Sequence, residues 1–109
     1  MIMIDLALVK MHLRIDGDAE NNYLSRLIPA ARRYSEQYCD RRIYDTADEL
    51  AVDPAPEKGP ILADETVDQA ELMLIAHWYA VRETVGAVNM TEVPMATTAM
   101  LDMHRRKTL

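Results

Sequence analysis

The stretch that decides the fold is Val67–Val85, VDQAELMLIAHWYAVRETV. Between Glu71 and Arg82 lie ten residues without a formal charge, and their richness in Ala, Leu and Met favours a helix over a strand. At about 100° per residue, Asp68, Glu71 and Arg82 share one side of this helix. Three apolar residues lie in the middle of that charged side: Leu72, Ile75 and Tyr79. A helix that is apolar nearly all round must be covered nearly all round, either by the rest of the chain or by another subunit.

The composition predicts a small globular chain. Its 109 residues are half apolar, which suffices for one domain, residues 1–109, with a single modest core. Ten uncharged residues cannot cross a bilayer, which takes about 20, so we expect no membrane role. The single cysteine, Cys39, excludes an internal disulfide and fits a reducing cytoplasm. The N-terminus lacks the basic start and long apolar core of a signal peptide, so no export signal is predicted.

The net charge of −6 is concentrated in the middle of the chain. Residues 43–71 carry nine acidic and one basic side chain, whereas residues 1–42 carry six acidic and seven basic ones. An acidic surface repels phosphate backbones, so this segment is not expected to grip nucleic acid.

Apolar spacing predicts further helices on both sides of the central one. Asp5 can cap a first helix over about residues 6–15, and Asp18 can cap a second over about residues 19–39. The turn between them, Asp16-Gly17-Asp18, lacks the further oxygen ligands and the closing Glu of a calcium loop, so a turn with a cap is favoured. Pro29 lies on the polar face of the second helix, which predicts a bend without a break.

The last third of the chain predicts a linker over residues 87–93 and a final helix over about residues 95–106, which Pro94 can open. In the acidic stretch, Ile43-Tyr44 can be extended, residues 47–52 can form a helical turn, and Asp64 or Thr66 can cap the central helix. The predicted fold is therefore all-α. It is a single small domain of about four helices, with two long ones packed antiparallel, shorter helices at both ends and an irregular acidic loop at about residues 43–65.

Catalytic motifs are absent from the sequence. It contains no Gly-rich phosphate loop, HExxH, paired Cys or nucleophile elbow, and it predicts no metal, cofactor or enzyme activity. His77 faces away from the charged side of its helix, and a satisfied core or interface histidine is favoured there. Two alternatives stay open. One is a small helical enzyme that uses His77, and the other is a helical DNA-binding regulator, although the candidate helices are too apolar or too acidic for a basic recognition helix.

A basic cluster surrounds the end of the second helix: Arg32, Arg33, Arg41 and Arg42. Without an aromatic platform or a glycine loop beside it, solvated helix-end charge is favoured over a phosphate grip. The cluster can equally meet the acidic segment of its own or of a neighbouring chain.

Three stretches resemble the small helical head-to-tail connector proteins of tailed bacteriophages and prophages. They are Val9–Asp18 (VKMHLRIDGD), Tyr23–Tyr34 (YLSRLIPAARRY) and Leu72–Val85 (LMLIAHWYAVRETV). A final helix after a proline, with Leu101 and Arg105 or Arg106 near its end, agrees with the same family. The resemblance covers residues 4–42 and 67–106. Two parts depart from it: Cys39-Asp40-Arg41 stands in place of a Thr-Gly-Arg type ending, and residues 45–64 match nothing in the family pattern.

The resemblance implies a non-enzymatic virion component, made in the bacterial host cytoplasm and located at the head-tail junction. Such proteins form a ring of about twelve subunits beneath the portal protein, receive the tail or a stopper protein, and let DNA pass without sequence-specific binding. Seven residues are then candidates for the subunit interface: Leu72, Ile75, Tyr79, Arg32, Arg33, Arg41 and Arg42. As a test of this interface, we predict that Ile75→Asp gives a folded but monomeric protein. Loss of helix in the variant would instead assign Ile75 to the subunit's own core.

Overall fold

The computed structural model describes residues 4–83 and 94–106 of the chain. Within these ranges five α-helices and two short strands follow one another. The bounds are α1 Leu6–Leu13, α2 Asn21–Cys39, β1 Ile43–Tyr44, α3 Ala47–Ala51, β2 Ile61–Leu62, α4 Glu65–Glu83 and α5 Met95–Asp102, with a 3-10 turn at Pro56–Lys58. The predicted helical class with two long packed helices, α2 and α4, is confirmed. The linker predicted over residues 87–93 lies outside the described residues.

The central helix α4 is covered by its own chain. Leu74 and Ile75 are 0% and 1% exposed and pack against α1 and α2. The residues that α1 and α2 contribute to this core are Val9, Leu24, Leu27 and Ala31. Farther toward the start of α4, Ala70 packs with Leu101 of α5 and Cys39 of α2. Each large apolar side chain buried in this way contributes about 1.5–3 kcal/mol of transfer free energy.

The first helix begins as predicted and ends early. Asp5 accepts a hydrogen bond from the Leu8 N–H at 2.8 Å, which caps α1. The helix ends at Leu13, because Arg14 adopts a left-handed conformation with φ 59°. The Ile15 N–H then turns back to the Lys10 carbonyl at 2.9 Å and satisfies one of the last helical acceptors.

The start of α2 differs from its prediction. Asp18 does not cap the helix, and the residue before its first turn, Glu20, makes no side-chain capping bond. The Asp18 carboxylate instead accepts hydrogen bonds from Lys10 Nζ and Asn21 Nδ2, both at 3.1 Å. Pro29 is exposed within a helix that continues to Cys39, so the predicted absence of a break is confirmed.

The acidic stretch contains a strand pair that was only half predicted. Ile43 and Tyr44 are extended, as expected, and they pair in parallel with Ile61 and Leu62. Between the two strands the chain runs through α3 and the 3-10 turn. Asp64 then caps α4 by accepting from the Val67 N–H at 3.0 Å.

The last helix is shorter than expected. Residues 95–106 were predicted to be helical, but α5 ends at Asp102. The following residues turn back onto α2, where the Arg106 N–H donates to the Cys39 carbonyl at 2.8 Å. This bond satisfies an acceptor at the end of α2 that has no partner within the helix, and it competes with continuation of α5.

Candidate functional site

Arg32 lies at the centre of a partly buried ion cluster that joins α2, α4 and the first strand. Its Nε and Nη2 donate to the two carboxylate oxygens of Glu71 at 2.8 and 3.1 Å, and Nη2 also donates to Asp45 at 3.0 Å. Nη1 donates to the Ile43 carbonyl at 3.4 Å. Burial lowers the pKa of Arg32, but Glu71 and Asp45 outweigh this effect and leave the pKa raised. Arg32 therefore pairs with the acidic segment of its own chain.

Asp68 is the unbalanced member of this cluster. The residue is 5% exposed, and neither carboxylate oxygen has a hydrogen-bond partner among the described residues. The nearest cation, Arg32 Nη2, lies 4.0 Å from Oδ1. Burial, together with the charge of Glu71, raises the pKa of Asp68 to about 6. The sequence places Asp68 and Glu71 on the charged side of α4 without deciding what covers it, and the structure buries both of them near Arg32 of α2.

The three apolar interface candidates lie in or against the core of the single chain. Leu72 is 7% exposed and Ile75 is 1% exposed, while Tyr79 is half-buried and packs against the same cluster. Intrachain packing thus accounts for apolar residues on the charged side of α4 without a second subunit. Their contact with a neighbouring subunit stays a prediction.

The other arginine candidates surround an open depression at the end of α2. Its volume is about 500 Å³, and we call it the basic depression. It is lined by Arg33, Glu36, Gln37, Asp40, Arg41, Arg42, Lys58 and Arg106. Five cationic side chains therefore face two carboxylates, in a chain whose net charge is −6. Arg33 and Arg42 are exposed, whereas Arg32 points away into the ion cluster, so the predicted group of four arginines is divided between two sites.

Arg41 forms the fixed part of the basic depression. Its Nη1 donates to the Gly59 carbonyl at 2.7 Å and its Nε to the His104 carbonyl at 2.9 Å. Gly59 has φ +72°, and a Cβ there would lie 2.6 Å from Arg41 Nη1. Glycine therefore satisfies both the left-handed backbone and the close approach of the guanidinium.

The tail after α5 is anchored by polar contacts. His104 Nε2 lies 2.8 Å from Thr66 Oγ1 and 3.2 Å from Asp64 Oδ2 at the start of α4. The Cys39 thiol donates to the Leu101 carbonyl at 3.4 Å. Burial raises the pKa of this thiol to about 11, so the reactive thiolate is scarce at neutral pH.

His77 is half-buried on α4, and its environment differs from the satisfied histidine that the sequence favours. Its Nε2 is buried without a hydrogen-bond partner among the described residues. Among the described residues, no carboxylate forms a hydrogen bond with this nitrogen. Within the same ranges, no group of His, Cys, Asp and Glu is arranged to hold a metal ion. None of the helices in the described part of the chain could cross a bilayer.

Comparison with known proteins gives one structural and one family match. The fold is similar to the crystal structure of gp6 from bacteriophage HK97, with a TM-score of 0.63 and 21% sequence identity over 93% of this chain and 91% of that one. Among curated proteins none matches this chain. The family model of the phage gp6-like head-tail connector proteins matches residues 3–105. Because this match spans nearly the whole sequence, the protein belongs to the phage gp6-like head-tail connector family.

Proposed function

We propose that the protein is a ring adaptor of the virion, located between the portal protein of the head and the tail or a stopper protein. About twelve copies form the ring, and DNA passes through its central hole without sequence-specific binding. The main support for this proposal is the family match over residues 3–105. The match includes residues 45–64, for which the resemblance offered no counterpart.

The charge distribution supports this role. Residues 43–71 carry nine acidic side chains and one basic one, and this segment repels the phosphate backbone, which favours sliding of DNA over adhesion wherever the segment faces the channel. Five of the chain's twelve Lys and Arg side chains line the basic depression, where they are suited to hold an acidic protein surface. Subunits joined through two different patches assemble head to tail, and they close into a ring when the rotation between neighbours allows.

The first experiment is size-exclusion chromatography with light scattering, on the protein alone and with the portal protein of the same phage. We expect a discrete assembly of about a dozen chains, alone or on the portal, and a weaker one at high salt if charge pairing holds it. A protein that neither assembles alone nor binds the portal contradicts the proposed function.

A further inference from the structure

The backbone around the basic depression is held in place by polar bonds. Arg41 is fixed by the Gly59 and His104 carbonyls, which come from the loop and from the tail. The Arg106 N–H is bonded to the Cys39 carbonyl at 2.8 Å, which holds the tail at the same end of α2. Three separate segments are thus tied together around one excess of positive charge, so the backbone that carries the exposed Arg33 and Arg42 is ordered before an acidic ligand binds.

The chain also presents an acidic projection that its own fold leaves uncovered. None of the residues of α3, Ala47–Ala51, is buried, and Asp48 and Glu49 are both exposed. Val52, at the end of the same helix, is 78% exposed. A short helix with two carboxylates and an adjacent apolar side chain suits a depression walled by the charged heads and aliphatic stems of Arg and Lys.

The projection and the basic depression do not satisfy each other within one chain. Helix α3 packs on the two strands, and none of its residues lines the depression. A second copy of the chain offers the missing acidic surface, and its overall charge of −6 favours approach to a positive patch.

We infer that the basic depression of one copy receives α3 of a second copy, with Asp48 and Glu49 facing Arg33 and Arg42. This inference rests on the proposed function, because it names the contact through which neighbouring subunits of the ring meet. The two patches are different surfaces, so the contact is head to tail and each subunit uses both.

A charge-swap experiment tests the contact. One variant carries Arg33→Glu and Arg42→Glu, and the other carries Asp48→Lys and Glu49→Lys; all four side chains are exposed. We expect each variant alone to lose self-association by roughly 10-fold or more at low salt. An equimolar mixture should associate again, because the depression that carries the new Glu residues can receive the α3 that carries the new Lys residues, and the two unaltered patches can also pair. Sedimentation velocity measures all three samples beside the wild type.

The matched control is Arg14→Glu with Arg26→Glu, which makes the same change in net charge at two exposed residues outside the depression. It should associate like the wild type, and circular dichroism should show equal helix content in every variant. The inference is overturned if the Arg33/Arg42 variant associates normally, if the mixture stays monomeric, or if the wild type does not self-associate at low salt.

A nucleic-acid role of the basic depression gives a different result. If the Arg33/Arg42 variant loses binding to a duplex DNA probe while its self-association is unchanged, the depression is a phosphate site and the inferred contact is wrong. A wild type that assembles or binds the portal independently of these residues leaves the proposed function standing. Loss of both assembly and portal binding in the wild type contradicts the proposed function itself.

Discussion

The helical core and the end of α2 are held by different physics. Around Leu74 and Ile75, stability comes from apolar side chains of three helices that exclude water together. At the end of α2, directional bonds to backbone carbonyls, such as those from Arg41, add to the small apolar cluster around Cys39. A packed core tolerates little change, whereas a surface held by a few polar bonds leaves its charged neighbours free to bind. The helical core should therefore determine whether the chain folds, and the end of α2 should determine what the protein binds.

Among the substitutions considered, Ile75→Asp in the helical core should have the largest effect. Ile75 is 1% exposed, so the variant loses apolar burial and buries a carboxylate without a partner. We expect a loss of about 4–5 kcal/mol, close to the total stability of a small domain, and therefore loss of helix by circular dichroism. Val52→Asp, at a 78% exposed position, is the control and should stay folded. A folded, monomeric Ile75→Asp protein would instead assign Ile75 to the subunit interface.

Arg32 joins α2 to α4 and β1, and its neighbour Arg33 provides a matched comparison. Arg32→Leu leaves Glu71, 2% exposed, without its bidentate partner. We expect a loss of about 3–5 kcal/mol at neutral pH by urea denaturation. Arg33→Leu changes an exposed residue of the same helix and should alter the free energy of unfolding by less than about 0.5 kcal/mol. Equal effects of the two substitutions would show that the ion cluster adds nothing.

Asp68→Asn separates charge from packing within that cluster. The pKa of about 6 in the folded chain lies above the ordinary value, so the folded state holds this proton more tightly than the unfolded state. The stabilisation is complete below about pH 4 and is lost as the pH rises through 6. We expect the variant to match the wild type at pH 4 and to be more stable at pH 8 by up to about 3 kcal/mol. A pH-independent difference in the free energy of unfolding contradicts this account.

The smallest effect should come from the end of α2. Asp40 has φ 56°, a conformation that glycine adopts without the steric cost of a Cβ. Asp40→Gly should raise the free energy of unfolding by about 1 kcal/mol, because its ion contact with Arg106, at 3.9 Å, is exposed and weak. Asp40→Ala retains the Cβ and should bring no gain, which thermal denaturation of the three proteins can test.

Periodicity predicted the helical core because helices are local. The apolar spacing of α2 and the uncharged run of α4 identified both long helices, and Asp5 marked the start of α1. The misplaced ends have local causes that spacing does not report, such as the left-handed Arg14 and the bond from Arg106 to Cys39. Helix ends depend on where each terminal N–H or carbonyl finds a partner.

The strand pair and the ion cluster could not be predicted in the same way. The strand pair joins Ile43 to Ile61 across a long stretch of chain, and two-residue strands carry no periodic signal. The ion cluster had one readable sign: Arg32 follows Ile28 by one helical turn, so it borders the apolar face of α2. The partners of Arg32 on α4 and β1 depend on how these elements pack, which composition does not specify.

The buried thiol of Cys39 gives the molecule a native reporter. Its bond to the Leu101 carbonyl and its complete burial mean that a thiol reagent can reach it only when α5 separates from the end of α2. When α5 closes again faster than the reagent reacts with the thiol, the labelling rate measures the free energy of that local opening. Because Cys39 is the single cysteine of the sequence, the reading needs no other substitution. Comparison of free chains with assembled ones would then show how tightly assembly holds the last helix in place.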